Sequence, residues 1–258
     1  MKALVLAGGG AKGAWQCGVL SQLQNESYDF VVGTSAGSLN AAGLAHLGFD
    51  GLKRLWFGIK SRSDVMSWNF SRKGIFDLDP LAKIVHKVTA KPAKIQATCC
   101  AVRLEDGAVT YSQSGDRDFP HMVIASCSIP GAIIPYEHDD STYIDGGTRE
   151  NCPVQHAYDI GATDIDVILC NPLELDHWIV PSGDIFPVVH YTARAFEIMS
   201  HEQIVNDLVH RPGVNMRVFA PNHEPCGVFD FDIESIQTAY ELGASHDINK
   251  HVFVSTGR

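Results

Sequence analysis

The feature that most constrains the fold is a turn, Gly33-Thr34-Ser35-Ala36-Gly37, placed between an apolar stretch at 28–32 and a run of small residues at 38–42. The apolar stretch predicts a buried strand, and the small residues predict a helix that can pack closely against a sheet. A sharp strand-to-helix turn holds a serine hydroxyl clear of the sheet, and flanking glycines remove the Cβ atoms that would obstruct the bend. The helix also directs its positive end toward the serine. The pattern therefore predicts an α/β fold with Ser35 as a candidate nucleophile.

A second glycine-rich loop, Gly8-Gly9-Gly10-Ala11-Lys12-Gly13, lies between the strand predicted at 2–6 and a helical pattern at 15–23. A dinucleotide site requires an acidic residue at the end of the next strand, about 20 residues on. Here Asp29 stands at the start of that strand instead. A Walker loop requires Lys and then Ser or Thr after its last glycine, where this chain has Ala14-Trp15. The remaining functional interpretation is an oxyanion hole built from backbone N–H groups of the loop.

A third motif, Tyr143-Ile144-Asp145-Gly146-Gly147, brings an aspartate from an apolar strand into a tight glycine turn. Such a position allows the carboxylate to be partly desolvated and closely approached. Taken alone, the pattern is equally typical of a simple turn aspartate.

Together, and in this order, the three motifs resemble those of the patatin-like phospholipases, whose marks are a GGGxKG or GGGxRG loop, a GTSAG-type turn and a DGG or DGA aspartate. The segment Ala125-Ser126-Cys127-Ser128-Ile129-Pro130-Gly131 is similar to the one usually found before that aspartate. The resemblance covers residues 2 to about 150. It implies a three-layer α/β sandwich with a mainly parallel central sheet flanked by helices. We expect one domain over residues 1–258. Residues 151–258 carry no comparable motif and are assigned to this domain only because they continue it.

The resemblance also implies a catalytic dyad without a cofactor or metal ion. Ser35 is the nucleophile, Asp145 is the general base, and N–H groups of Gly8, Gly9 and Gly10, chiefly the last two, form the oxyanion hole. The substrate is a carboxyl ester of a phospholipid or another lipid. Lys12 either assists electrostatically or is a solvated loop lysine. The residues that complete the motifs are Lys12, Gly13, Gly33, Gly37, Gly146 and Gly147.

Two alternatives remain open. A Ser-His-Asp esterase of another fold is possible by chain order, because histidines follow Asp145, but Ser35 comes after only the second strand, too early for an α/β-hydrolase elbow. The other alternative is a catalytically idle lipid-binding or regulatory protein that keeps the fold. The histidines in question are His156, His177, His190, His201 and His223.

The charge and the apolar segments of the sequence argue against several kinds of partner and location. The formal net charge of −10 argues against nucleic acid, which needs a basic footprint. The apolar run at the N-terminus is too short for a signal peptide, and no uninterrupted apolar stretch reaches the ~18 residues of a membrane span. We therefore expect a soluble, cytoplasmic protein with at most peripheral membrane contact and no metal site, since no CxxC or HExxH spacing occurs. The seven cysteines fit reduced core residues.

Further patterns predict the other elements and the approach of substrate. A hairpin is expected around Glu105-Asp106-Gly107, strands at 165–170 and 214–219, and helices at 52–59, 80–88, 196–209 and 233–242. The segment at 52–60, with Trp68 and Phe70 after it, mixes aromatics with cations and fits an interfacial helix or lid, although a packed helix is favoured. Trp178-Ile179-Val180-Pro181 is a second candidate for a lipid-facing edge, and helices at 186–210 are candidates to shape an acyl pocket.

Overall fold

The computed structural model describes residues 1–175, 187–209, 211 and 213–250. Its strands are β1 (Lys2–Leu6), β2 (Phe30–Thr34), β3 (Ser67–Trp68), β4 (Phe76–Asp77), β5 (Gln96–Arg103), β6 (Val109–Gln113), β7 (Tyr136–His138), β8 (Ser141–Asp145), β9 (Asp164–Ile168) and β10 (Asn215–Phe219). Its helices are α1 (Gly13–Leu20), α2 (Ala36–Gly58), α3 (Asp79–Thr89), α4 (Phe119–Ala125), α5 (Val154–Asp159), α6 (Pro187–Asp207) and α7 (Ile233–Ala244).

The main sheet has eight strands in the order β10-β9-β1-β2-β5-β8-β7, with β6 also paired to β5. Strands β10, β9, β1, β2 and β5 run parallel, whereas β6, β7 and β8 are antiparallel additions at one edge. The central strands β1 and β2 are apolar on both faces, as parallel strands covered by helices must be. The predicted mainly parallel sheet is confirmed.

Helices cover both faces of this sheet. Leu4 and Leu6 of β1 belong to one apolar cluster, which includes residues of α1, α2, α4 and α7. Ala3 and Val5, which point to the other face, belong to a second cluster with residues of α5 and α6. The alternation follows from the pleat of a strand, in which successive side chains point to opposite faces. The result is the three-layer arrangement expected from the sequence.

The segment predicted as either an interfacial or a packed helix is packed. It forms the second half of α2, which is interrupted at Gly48, where φ is 71° and ψ is 178°. Leu52 and Trp56 are buried, and Lys53 Nζ lies 4.7 Å from the centroid of the Tyr240 ring. The lysine therefore covers an aromatic ring and keeps its ammonium group at the surface.

Two sequence-based candidates, Trp178-Ile179-Val180-Pro181 and His177, lie outside the described residues. Within the described part of the chain, no helix has the length and apolar character needed to cross a membrane. All seven cysteines are free, and most are buried in the core.

Candidate active site

Ser35 lies at the junction of β2 and α2, in a strained backbone conformation. Its φ of 54° and ψ of −124° fall where non-glycine residues are rare, and strain of this kind is often kept at functional sites. The helix begins at the next residue, so its unpaired N-terminal N–H groups and positive end lie beside the serine. The local geometry is the strand-to-helix turn predicted from the sequence.

The glycines on either side of Ser35 are required by close backbone packing. A Cβ atom at Gly33 would lie 2.2 Å from the carbonyl oxygen of Gly37, and one at Gly37 would lie 2.0 Å from that of Leu6. Neither distance is compatible with a side chain. The turn can therefore approach β1 this closely only with glycine at both positions.

The segment at 125–131 connects the backbones of Ser35 and Asp145. The Ser35 N–H donates to the Ser126 hydroxyl oxygen at 2.8 Å, and the Asp145 N–H donates to the Ser128 carbonyl oxygen at 3.0 Å. The Ser38 hydroxyl donates to the Ser35 carbonyl oxygen at 2.6 Å. One short segment thus fixes both residues relative to each other.

Asp145 ends β8 and is fully buried. Its Oδ1 accepts a hydrogen bond of 2.8 Å from the Gly147 N–H, within the glycine turn predicted to hold it. Its Oδ2 is also buried and has no formed hydrogen bond with any described residue. A carboxylate with one unsatisfied buried oxygen is a strong proton acceptor.

Burial raises the pKa of Asp145 to about 7, and the nearby Ser35 hydroxyl and the Gly147 N–H offset only part of this effect. The Ser35 side chain therefore lies close enough to interact with the carboxyl group, although their hydrogen bond is not fully formed. Catalytic hydrogen bonds often tighten only when substrate is bound.

The glycine loop lines one cavity together with Ser35. The Gly8 N–H donates to the Asn151 carbonyl oxygen at 3.1 Å, so this donor is already used. The N–H groups of Gly9 and Gly10 form no hydrogen bond with the described residues. Gly10 has a φ of 61° and packs against the Val228 carbonyl, where a Cβ would lie at 2.3 Å. Of the three candidate donors, Gly9 and Gly10 are the two that remain available to an anion.

Lys12 is a fully buried residue and not the solvated loop lysine considered from the sequence. Its ammonium group donates to Asn171 Oδ1 at 2.7 Å and forms ion pairs with Glu197 and Glu224. Burial alone lowers the pKa of Lys12, but the two carboxylates outweigh it, so this pKa lies above its ordinary value. Lys12 therefore carries its charge into the interior and ties the glycine loop to α6.

Helix α6 covers the polar side of the cavity and is attached to the aspartate turn as well. The Ser200 hydroxyl donates to the Gly147 carbonyl oxygen at 3.3 Å. The Gln203 amide donates to the Thr148 carbonyl oxygen at 3.1 Å and accepts from the Asn151 N–H at 3.3 Å. Sequence reasoning missed these residues and the lysine partners Asn171, Glu197 and Glu224, because none of them belongs to a local motif.

An apolar cavity extends from Ser35 in the other direction, toward α2 and α3. A space of about 420 Å³, partly open to solvent, borders Ser35, and a second partly open space of about 590 Å³ adjoins it. Trp56 stands where the two meet and is fixed by its indole N–H, which donates to Asn40 Oδ1 at 2.7 Å. The residues shared by both spaces are Leu39, Trp56, Val65, Leu81 and Phe231. Helices α2 and α3 form most of the wall of the second space, and the lining residues that the structure describes include none from the predicted region 186–210.

The described histidines stand apart from Ser35. None of them lines the cavities that border this serine. His156 stacks on the Tyr111 ring at 3.8 Å, and a ring nitrogen of His201 lies 2.9 Å from the Leu173 carbonyl oxygen. In the part of the chain that the structure describes, the carboxyl group that interacts with the Ser35 side chain is that of Asp145.

The family described as Patatin-like phospholipase matches residues 4–158. An uncharacterized NTE family protein of Mycobacterium tuberculosis is 30% identical over 162 residues, which are 59% of this chain and 44% of that protein. The uncharacterized protein YjjU of Escherichia coli is 25% identical over 247 residues, 84% of this chain and 67% of its own length. The chain thus spans less than half the length of the mycobacterial relative.

Among solved structures, VipD from Legionella pneumophila aligns with 94% of this chain and 65% of its own chain. The TM-score is 0.53 and the sequence identity is 12%. At this identity the similarity establishes the shared fold only.

Proposed function

This chain belongs to the patatin-like phospholipase family, and from that premise we propose that it is a lipid acyl hydrolase in which Ser35 is the nucleophile and Asp145 is its base. The observation that carries the proposal is the Asp145 carboxyl group, which is fully buried beside Ser35 with a pKa of about 7. At neutral pH a large fraction of such a group is ionised, and it still has enough proton affinity to accept the serine proton.

In the first step, the Ser35 oxygen attacks the ester carbonyl carbon while its proton passes to Asp145 Oδ2. The carbonyl oxygen becomes an oxyanion, which the N–H groups of Gly9 and Gly10 bind. The C–O bond to the alcohol then breaks, the alcohol takes the proton from Asp145, and an acyl-enzyme on Ser35 remains.

In the second step, ionised Asp145 takes a proton from a water molecule, whose oxygen attacks the acyl carbon. The bond to Ser35 breaks, Ser35 regains a proton from Asp145, and a fatty acid leaves. The same two side chains therefore serve both halves of the reaction, and the proton transfers of this cycle require no third side chain.

The apolar space beside Ser35 supports a lipid substrate. It begins at the nucleophile, is lined by side chains such as Leu81 and Phe231, and continues between α2 and α3. Burying an acyl chain there is favourable by about 0.8 kcal/mol for each methylene group removed from water. A small polar ester would gain nothing from such a space.

The direct test compares wild type with Ser35→Ala on a fluorogenic phospholipid and on p-nitrophenyl esters, with Ser63→Ala, an exposed serine, as the control. We expect the first variant to be inactive and unlabelled by a fluorophosphonate, and the control to behave as wild type. Equal rates for wild type and Ser35→Ala would refute the catalytic role and would favour an idle lipid-binding protein.

A second set of variants distinguishes the dyad from a Ser-His-Asp triad. His156, His177, His190, His201 and His223 are each replaced by Asn, and we expect each variant to retain activity. One histidine whose loss abolishes activity as completely as Ser35→Ala would overturn the dyad.

A further inference from the structure

A hairpin at residues 67–77, here called the aromatic hairpin, carries two large aromatic side chains on its outer surface. Trp68 is 56% exposed and Phe70 is 66% exposed, and their rings stack at 5.3 Å between centroids. All residues from 68 to 73 are exposed. Large apolar surface held in water costs free energy, and exposed patches of this kind commonly mark sites of association.

The base of the aromatic hairpin is firmly attached to the protein. The N–H groups of Ile75 and Phe76 donate to the Ala132 carbonyl oxygen at 3.1 and 3.0 Å. The Ile134 N–H donates back to the Phe76 carbonyl oxygen at 2.8 Å. The exposed rings are therefore presented by an anchored element, not by a free loop.

A row of aromatic rings leads from this surface to the cavity at Ser35. The centroids of Trp68 and Phe76 are 4.5 Å apart, and those of Phe76 and Phe229 are 6.5 Å apart. Phe229 lines the cavity that borders Ser35, as do Val65 and Met66, which directly precede the hairpin. The exposed rings are thus connected to the cavity at Ser35 through the packed side chains of Phe76 and Phe229, both of which are buried.

The charges of the aromatic hairpin differ from those of the whole chain. The exposed stretch 68–73 carries Arg72 and Lys73 and no acidic residue, and Asp77 is the one carboxylate of the whole hairpin, in a chain with a net charge of −10. Lys73 also pairs with Glu137 at the surface, and the Arg62 guanidinium lies 5.9 Å from the Phe76 ring centroid. Aromatic rings beside cations match the interfacial zone of a phospholipid bilayer, where indole rings sit at the level of the headgroups and cations contact phosphate.

We propose that the aromatic hairpin docks the protein on a phospholipid surface by inserting Trp68 and Phe70 into the headgroup region. Docking there brings the outer end of the aromatic row against the lipid, while the inner end of the row, Phe229, lines the cavity at Ser35. An acyl chain can then pass from the bilayer into the cavity along apolar side chains. The docking itself depends on the hairpin alone, whereas its use in delivering substrate rests on the function proposed above.

The test measures binding to vesicles of phosphatidylcholine and phosphatidylglycerol by sedimentation, in the Ser35→Ala background so that no lipid is hydrolysed. We expect the added pair Trp68→Ser and Phe70→Ser to weaken binding by roughly tenfold or more. Leu104→Ser is the matched control, because Leu104 is 52% exposed at a different hairpin, and we expect its binding to equal the parent's. The proposal would be overturned if the parent failed to bind vesicles, or if the hairpin variant bound them as tightly as the parent. Either result would instead favour a protein partner for the exposed rings.

A spectroscopic readout locates the insertion. The measurement is made in a Trp178→Phe background, in which the tryptophans other than Trp68 are Trp15 and Trp56, both buried, so vesicles containing brominated lipid are expected to quench the fluorescence of Trp68. The conservative variant Trp68→Phe is expected to keep binding but to lose most of the quenching. Unchanged quenching in this variant would show that Trp68 does not enter the lipid.

Activity separates this proposal from the proposed function. These measurements use protein that retains Ser35. We expect the hairpin variant to hydrolyse a soluble short-chain ester at the rate of the parent, and to hydrolyse vesicle lipid roughly tenfold more slowly. If the parent hydrolyses nothing but still binds vesicles through the hairpin, the proposed function fails and the docking proposal stands. A hairpin variant equally fast on vesicles would refute delivery of substrate through this surface.

Discussion

Ser35 and Asp145 meet on one side of β5, where β2 ends and β8 takes its place beside that strand. Thr34 is paired with Cys100 in the parallel ladder between β2 and β5, so Ser35 follows at the level of Ala101. Asp145 is the antiparallel partner of Ala101 on that same side, because the other side of Ala101 is paired with Thr110 of β6. The position of the base relative to the nucleophile is therefore set by the register of three strands, and a shift of one residue in either ladder would separate them.

Replacing Asp145 by Asn keeps the shape of the side chain but removes its ability to take the serine proton. We expect turnover of a soluble ester to fall by roughly 100- to 10,000-fold, as for other positioned general bases, with the fold unchanged by circular dichroism. Asp139→Asn is the control, because Asp139 is an exposed residue that precedes β8. A turnover within a few-fold of wild type would exclude Asp145 as the base.

The pH dependence of activity should report the same carboxyl group. Because burial raises the pKa of Asp145 to about 7, the base is protonated and inactive below this pH and ionised above it. We expect kcat/KM for a soluble ester to rise tenfold per pH unit below about 7 and to level off above it. A profile that is already flat from pH 5 upward would show that the working base has an ordinary carboxyl pKa.

The free energy of unfolding should decrease as the pH rises, whereas activity should increase. The pKa of Asp145 is higher in the folded protein, at about 7, than the unfolded value of about 3.9, so the folded state binds the proton more tightly. Its stabilising contribution is complete below about pH 4 and is lost as the pH rises through 7. Asp145→Asn lacks this loss, so its free energy of unfolding should exceed that of wild type increasingly from pH 4 to 7, by up to about 4 kcal/mol. Denaturant unfolding of both proteins at pH 5 and pH 8 measures how much more stable Asp145→Asn is than wild type. If this stability difference were equal or smaller at pH 8, Asp145 would not be a buried carboxyl group with a raised pKa.

The sequence predicted the parts of this site that lie in local motifs. The strand-to-helix turn at Ser35 and the glycine loop are contiguous patterns whose backbone demands can be seen in residue order, because glycine is required where no Cβ fits. The antiparallel hairpin around Glu105-Asp106-Gly107 was predicted from its turn residues, and Gly107 has the positive φ of 70° that such a turn requires. Helix boundaries were less accurate: the patch at 52–59 is the second half of α2, because Gly48 interrupts the helix without ending it.

The contacts around Lys12 could not be predicted in this way. Glu197 and Glu224 lie far along the chain, and neither stands in a pattern that indicates a buried ion pair. A lysine in a glycine loop is exposed in most proteins, since burying its charge is costly without partners. Only the tertiary fold shows that the partners are present.

Lys12 should act as a positioning residue for the glycine loop. Lys12→Met removes one of the two cations paired with the buried Glu197, the other being Arg194, and we expect it to lower the free energy of unfolding by at most about 3–5 kcal/mol. It should also lower kcat by roughly 100-fold with little change in KM for a soluble ester, because a donor displaced by 1 Å loses most of its effect. Lys12→Arg keeps the charge and should restore much of kcat.

A double variant separates positioning from stability. Adding Glu197→Leu to Lys12→Met removes the carboxylate that has lost its lysine partner, so stability should recover in part, whereas kcat should stay low because the loop is still unanchored. Recovery of kcat together with stability would show that Lys12 matters only for folding.

The apolar space beyond Ser35 should determine which acyl chains are accepted. Leu81 lines both parts of this space, so Leu81→Trp should block the second part while leaving the nucleophile accessible. Each methylene group that can no longer be buried costs about 0.8 kcal/mol, so losing a few of them should reduce kcat/KM for long-chain esters by roughly 10- to 100-fold. Esters with short chains do not reach the blocked part and should react at the wild-type rate. A series of p-nitrophenyl esters from acetate to palmitate measures this, with Leu242→Trp, at an exposed position of α7, as the control. If Leu81→Trp lowered the rates of short and long esters equally, the acyl chain would not lie between α2 and α3.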